Sequence, residues 1–409
     1  MKTKLFILAL SLGLLSLTGC KKDHIEPESS PPIVLTAKQS AVVKASNHFG
    51  FQMLKELNAH TGDSNLCLSP LSISAALGMT WNGAAGNTAL EMQNTLGFSQ
   101  LTPQEINEAY QVLLQYLLSS DPKSVLEIAN SIWHRQDFYV VPDFIQRNQQ
   151  YFGADVMPAD FNDPATVTQI NNWVSTHTHG KIQEIIQFID PMTVMYLINA
   201  TYFKGEWTYR FDEKNTFTGD FTLPNGGSVQ VDMMKQKADM ETLFSPLVNG
   251  VRMPYGNGRY QMIALMPAQG KTLQNVIDQL DDKMWEGWMS SFEKTEGLDL
   301  YFPKFKFEYE ESLLEMLHTL GIQDALTPGI ADFSGINPSM DLYISDVKHK
   351  TFIDVNEKGT EAAAVTAVEI GYTSVGPMLN FNQPFLFFIA EKHSGFVIFS
   401  GKVVHPDYQ

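Results

Sequence analysis

Several short stretches carry residue types that could do chemistry, and each competes with a plainer role. His177-Thr178-His179 sets imidazoles one residue apart, a spacing that suits a metal only where a strand turns both rings to one side. The pattern before it is helical and Gly180 follows, so the pair reads as a solvated helix end. Ser120-Asp121-Pro122-Lys123 matches the Ser-x-x-Lys of penicillin-binding enzymes, but neither Ser-Asp-Asn nor Lys-Thr-Gly occurs, and Pro122 breaks the helix that motif needs. Asn199-Ala200-Thr201 fits a glycosylation acceptor; inside an apolar run it reads instead as buried polar groups in need of hydrogen-bond partners. His349, among Val347, Thr351, Phe352 and Ile353, reads as a satisfied core histidine. There is no Gly-x-Ser-x-Gly elbow, His-Glu-x-x-His or phosphate-cradling glycine loop. A hydrolase would need a triad assembled from distant residues.

The most informative stretch holds no nucleophile or metal ligand set. Residues 356–378 read NEKGTEAAAVTAVEIGYTSVGPM. As a strand, one face is Thr360, Ala362, Ala364, Thr366, Val368 and Ile370, all uncharged. The other carries both acids, Glu361 and Glu369. Charge on one side only is the mark of a half-buried strand, yet Gly359, Gly371 and Gly376 loosen it and Pro377 stops it. The segment is built to be a strand only part of the time.

The chain begins with a basic start at Lys2 and Lys4, an apolar run from Leu5 to Leu17, and Leu17-Thr18-Gly19-Cys20. That run is too short to span a bilayer and reads as an export signal over residues 1–19. The tetrapeptide resembles the bacterial lipobox, which implies cleavage before Cys20 and its lipidation. Residues 20–35 then form a polar, proline-containing tether. Lys21 rather than Asp favours outer-membrane sorting, so the expectation is an exported lipoprotein at the outer membrane or cell surface. Losing Lys2 and Lys4 takes the formal charge from −17 to −19, which argues against nucleic acid as a partner. Apart from Cys20 the only cysteine is Cys67, so with Cys20 lipidated stability must come from packing.

Helical spacing marks Ala37–Leu57, Leu71–Trp81 after a Ser69-Pro70 cap, Asn87–Leu96, Pro103–Leu118, Pro142–Phe152 and Ala165–Thr178. Strand-like runs follow at Thr193–Phe203, Ser228–Met234, Val251–Pro254, Tyr260–Met266, Leu298–Phe307, Phe385–Ala390 and Phe396–Val404. Helical segments at Leu273–Met289 and Glu311–Leu320 interrupt them. Such segregation predicts an α+β domain over residues 36–409 with large, mostly antiparallel sheets.

Several of these stretches share one resemblance. NLCLSPLSISAA (65–76), NATYFKGEW (199–207), VDMM (231–234), DFSGI (332–336), DVNEKGTEAAA (354–364), FNQPF (381–385) and FSGKVVHP (399–406) resemble the serpin superfamily, in order and spacing. The resemblance implies three β-sheets with eight or nine helices and an exposed reactive-centre loop at about 357–377. It implies no enzyme and no cofactor, but a monomeric bait for serine, and possibly cysteine, endopeptidases. The protease forms an acyl-enzyme on the loop, whose hinge half inserts into the central sheet and drags the protease into a distorted, covalent dead end. Serpin loop insertion is a standard example of stored strain.

Carried over residue by residue, the hinge is Glu357, Gly359, Thr360, Glu361, Ala362, Ala363 and Ala364. The scissile bond is Thr373-Ser374, sixteen places after Glu357, with Tyr372 as an alternative cut for chymotrypsin-like enzymes. Ser69, Ser72, Asn199 and His349 match the shutter that lets central strands part, and Trp207 matches the breach. No Lys or Arg lies between Gly359 and Glu391, so elastase-like or subtilisin-like pockets fit better than trypsin-like ones. The alternative is a serpin-fold binding protein without inhibition, but the small hinge residues match the inhibitory pattern. Inserting residues must alternate and shed little water. Thr360→Arg or Ala362→Pro should therefore convert an inhibitor into a substrate; full trapping by either variant, scored by denaturing electrophoresis, would refute this.

Overall fold

The computed structural model describes residues 33–118, 123–339, 341–360 and 376–408. Among them are nine α-helices: α1 (Ala37–Thr61), α2 (Pro70–Trp81), α3 (Gly86–Thr95), α4 (Pro103–Leu117), α5 (Pro142–Phe152), α6 (Ala165–His177), α7 (Leu273–Gln279), α8 (Asp282–Ser290) and α9 (Leu314–Thr319). The strands are β1 (Leu66–Leu68), β2 (Ser124–Arg135), β3 (Asp155–Ala159), β4 (Met195–Glu206), β5 (Phe217–Thr222), β6 (Ser228–Phe244), β7 (Val248–Pro254), β8 (Tyr260–Pro267), β9 (Glu293–Pro303), β10 (Phe305–Ser312), β11 (Lys348–Asn356), β12 (Gly359–Thr360), β13 (Met378–Asn380), β14 (Phe385–Glu391) and β15 (Val397–Val403).

Hydrogen bonding joins these strands into a nine-stranded and a six-stranded sheet. The larger sheet divides at a register shift in β6, between Ala238 and Met240. On one side lie β5 and β13 with β6 and β9; on the other, β7, β8, β14, β15 and β1. The resemblance implies three sheets; hydrogen bonding gives two, because β6 and β9 stay paired through the shift and join those two parts into one sheet. β8, β14 and β15 are buried along their whole length, which explains their largely apolar sequence: both faces are covered. α1 and α2 pack on β15, while Phe51 and Trp285 close on Phe388 with ring centroids 6.1 and 4.7 Å away.

Helix starts follow local chemistry. The Ser69 side chain accepts from the Ser72 N–H and Pro70 occupies the first turn, so α2 begins where the sequence placed it. Leu273–Met289 is two helices rather than one. Leu280 is extended, and the Asp281 carboxylate accepts from the Met284 N–H to start α8. Leu298–Phe307 is likewise divided at Lys304, where the chain leaves the larger sheet as β9 and enters the smaller one as β10. Phe302 and Phe305 pin that crossing against Phe385, at 5.3 and 6.0 Å. β10 then runs to Ser312, so the helix read from Glu311 is only α9.

The smaller sheet runs β10-β11-β12-β4-β2-β3. α6 and the segment after it cover β2 and β4 through a separate core of Trp133, Ile170, Val174, Ile182, Ile186 and Ile198. Cys67, in β1, is buried opposite Gly401. Burial pushes its thiol up to about 12, against the opposing effect of a hydrogen bond with Thr351. A disulfide-forming thiol reagent at pH 8 should leave Cys67 unmodified in the folded protein and react in denaturant; rapid labelling of the native protein at Cys67, read by peptide mapping, would contradict this burial.

Candidate functional site: a strand seat between β4 and β11

β11 ends at Asn356, turns through Glu357 and Lys358, and continues as β12, whose described residues are Gly359 and Thr360. Gly359 pairs with Asn356 and Glu206, and Thr360 with Val355 and Gly205. Those two residues fill the top of the space between β4 and β11. Among the described residues, β4 and β11 form no ladder with each other. Gly359 and Thr360 thus sit between two strands at the centre of the sheet and pair with both.

The turn is held from outside by the segment after β4. The Trp207 indole N–H donates to the Asn356 carbonyl at 2.9 Å, and its backbone N–H to that of Lys358 at 2.9 Å. Phe211 N–H donates to the Glu357 carbonyl at 3.0 Å. The Asn356 side chain accepts from the Lys358 N–H, closing the turn locally. Glu357 is buried, accepts from the Thr216 hydroxyl at 2.7 Å and pairs with Lys304 at 3.4 Å. Its charge is thus balanced where an unpaired carboxylate would be costly.

Gly359 is required twice. Its φ of +148° lies in a region that favours glycine, and a Cβ there would come within 1.9 Å of the Gly205 carbonyl oxygen. Thr360 is buried with its hydroxyl 2.7 Å from that of Tyr255. Tyr255 is itself buried and stacks on Trp207 at 4.3 Å with an interplanar angle of 12°. Desolvation raises its phenol above the usual range, so it stays neutral. Gly205 leaves room for the ring, since a Cβ there would lie 2.6 Å from it.

The other end of the loop is fixed in the larger sheet. Asp299 N–H donates to the Pro377 carbonyl at 2.9 Å, and β13 runs parallel to β9. Between Thr360 and Met378 lie roughly 17 residues, longer than ordinary connections. Glu361, Ala362, Ala363, Ala364, Tyr372, Thr373 and Ser374 lie outside the described residues, as do Cys20 and Ser120 to Pro122.

Below the seat, Ser69 and His349 meet. The Ser69 N–H donates to His349 Nε2 at 3.1 Å, and its hydroxyl donates to the Ile398 carbonyl at 2.7 Å while accepting from Ser72. Asn199 is placed otherwise: its amide donates to Asn130 Oδ1 at 2.7 Å and accepts from Thr201. The structure thus brings Ser69, Ser72 and His349 together on the β11 side, and leaves Asn199 with Asn130 of β2. His177 and His179 close the end of α6, the first bonded to the Trp173 carbonyl and the second 3.1 Å from Glu127. Tyr255, Lys304 and Thr216 were not marked by the sequence; Asn130 could have been, as another polar residue in an apolar run.

This geometry meets a clear family match. The serpin (serine protease inhibitor) family pattern covers residues 44–406. The chain belongs to the serpin family. It is 32% identical to leukocyte elastase inhibitor of Equus caballus over 375 residues, covering 88% of this chain and 98% of that one. Human thyroxine-binding globulin matches in structure with a TM-score of 0.84 at 30% identity, over 91% of this serpin and 100% of its own chain. The thermophilic serpin tengpin in its native state gives 0.82 at 33% identity, over 94% and 98%.

Burial holds the His349 imidazole down to about 4. Between that value and the ordinary 6.5 the unfolded chain takes up a proton that the folded serpin does not. Stability from this group is therefore complete above pH 6.5 and falls as pH drops toward 4, by up to about 3 kcal/mol. Urea midpoints measured across that window should fall less steeply for His349→Gln than for the unaltered protein; parallel slopes would show that His349 does not carry the effect.

Proposed function

We propose that this serpin is an irreversible, suicide-substrate inhibitor of elastase-like or subtilisin-like serine endopeptidases. The observation that carries the reading is Thr360, seated between β4 and β11, strands that have no ladder of their own among the described residues. Thr360 occupies a slot that, in this reading, the following residues lengthen into a strand. Ala362, Ala364, Thr366, Val368 and Ile370 share its alternation and carry no charge to desolvate.

In the proposed reaction the protease Ser Oγ attacks the Thr373 carbonyl, the Thr373–Ser374 bond breaks, and the Ser374 amine leaves with a proton. The acyl-enzyme ester remains on Thr373. Insertion as a central strand then carries that ester away from the loop's original position, before water can complete the cycle. The new Ser374 terminus stays tethered through β13, which is bonded to β9 in the other sheet. Tyr372 offers the neighbouring bond to a chymotrypsin-like pocket, and thiol endopeptidases could use the same loop. The leader and Cys20 support display on a lipid anchor at the outer membrane or cell surface.

The similarity to a thyroxine-binding globulin favours a second reading, a non-inhibitory binding protein. One experiment separates them. Incubation with an elastase-like serine protease should give an adduct that survives denaturing electrophoresis and, by mass spectrometry, a released peptide beginning at Ser374. Cleavage without adduct across a panel of serine endopeptidases would favour the binding protein.

A further inference from the structure

We propose that the Tyr255 hydroxyl is the receptor for the first loop side chain and sets the register in which the loop enters the sheet. Tyr255 is thus a positioning residue for inhibition, and the inference rests on the inhibitory reading above. The pair it makes with Thr360 is a 2.7 Å hydroxyl–hydroxyl bond between buried side chains contributed by segments far apart in sequence.

The surroundings leave that hydroxyl little freedom. The Tyr255 ring is stacked on Trp207 and lies edge-on to Phe203 at 5.1 Å, above the bare backbone of Gly205. Trp207 is in turn fixed by the carbonyls of Asn356 and Lys358. The same ring stack that holds the turn therefore aims the phenol at residue 360. A slip of one residue would exchange the two faces of the strand. It would bring Gly359, which has no side chain to offer, or Glu361 to the phenol in place of Thr360 and turn Glu361 and Glu369 toward the buried side. A neutral phenol in a desolvated site accepts a small hydroxyl far better than it accepts an unpaired charge. Tyr255 thereby selects the register with the uncharged face inward.

The test exploits an asymmetry of buried hydrogen bonds: removing one partner strands the other, whereas removing both leaves a nearly neutral apolar contact. Tyr255→Phe keeps the stacked ring and orphans Thr360. Thr360→Val keeps the shape and orphans Tyr255. Each single variant should raise the ratio of cleaved to trapped inhibitor, measured with an elastase-like serine protease, by about fivefold. The double variant should return most of the way to the original ratio. Amide hydrogen exchange over residues 356–360, which needs no protease, should quicken in each single variant and slow again in the double one. Unchanged exchange and trapping in both single variants, or a double variant no better than either, would overturn the proposal. Failure of the unaltered serpin to trap any protease in a panel would instead remove the inhibitory reading, with the exchange data still reporting whether Tyr255 seats the loop.

Discussion

A sheet cannot leave its central backbone groups unpaired and dry without cost, and the smaller sheet of this serpin is organised around that constraint. β4 is paired to β2, β11 to β10, and among the described residues Gly359 and Thr360 complete the ladder between β4 and β11. An unpaired strand edge is a template for another strand. The loop that follows Thr360 is the closest chain in sequence that can satisfy it. Glycine, buried threonine, the Trp207 clamp and the Glu357–Lys304 pair all hold the turn from β11 into β12 in one arrangement.

The same arrangement accounts for the division of labour between the sheets. The larger sheet has three fully buried strands, β8, β14 and β15, and a dense aromatic core around Phe302, Phe381 and Phe385, with ring separations of 5.0 to 5.3 Å. The smaller sheet is covered on β2 and β4 by α6, which has its own modest core. Polar groups lie beneath its centre, where Ser69 and His349 bond on one side and Asn130 and Asn199 on the other. Such separated polar pairs keep each half satisfied without fastening the halves together.

Much of this was legible in the sequence where the signal is local. Ser69-Pro70 marks a helix start by a side chain that reaches three residues, and the apolar runs of β8, β14 and β15 announce burial on both faces. The alternation from Thr360 onward is visible because strands have a period of two. What stayed hidden depends on partners remote in sequence. Tyr255, in a Met-Pro-Tyr-Gly turn, has no local pattern to distinguish it, and its partner is 105 residues away. Lys304 reads as one charge in an apolar run until the chain is seen to change sheets there. Asp281 looks like one more polar position in a long helical pattern, and only its capping bond shows that it separates α7 from α8.

That crossing at Lys304 has a wider meaning. β9 holds the strand on which the loop lands, β10 borders the strand from which it departs, and a single residue joins them. The same lysine salt-bridges Glu357 at the departure point, and its ammonium lies 4.2 Å from the Tyr408 ring centroid near the chain's end. Entrance, landing and terminus thus share one fulcrum. A disturbance that tilts one sheet against the other would reach both roots of the loop at once, so departure and landing points are coupled through a single side chain.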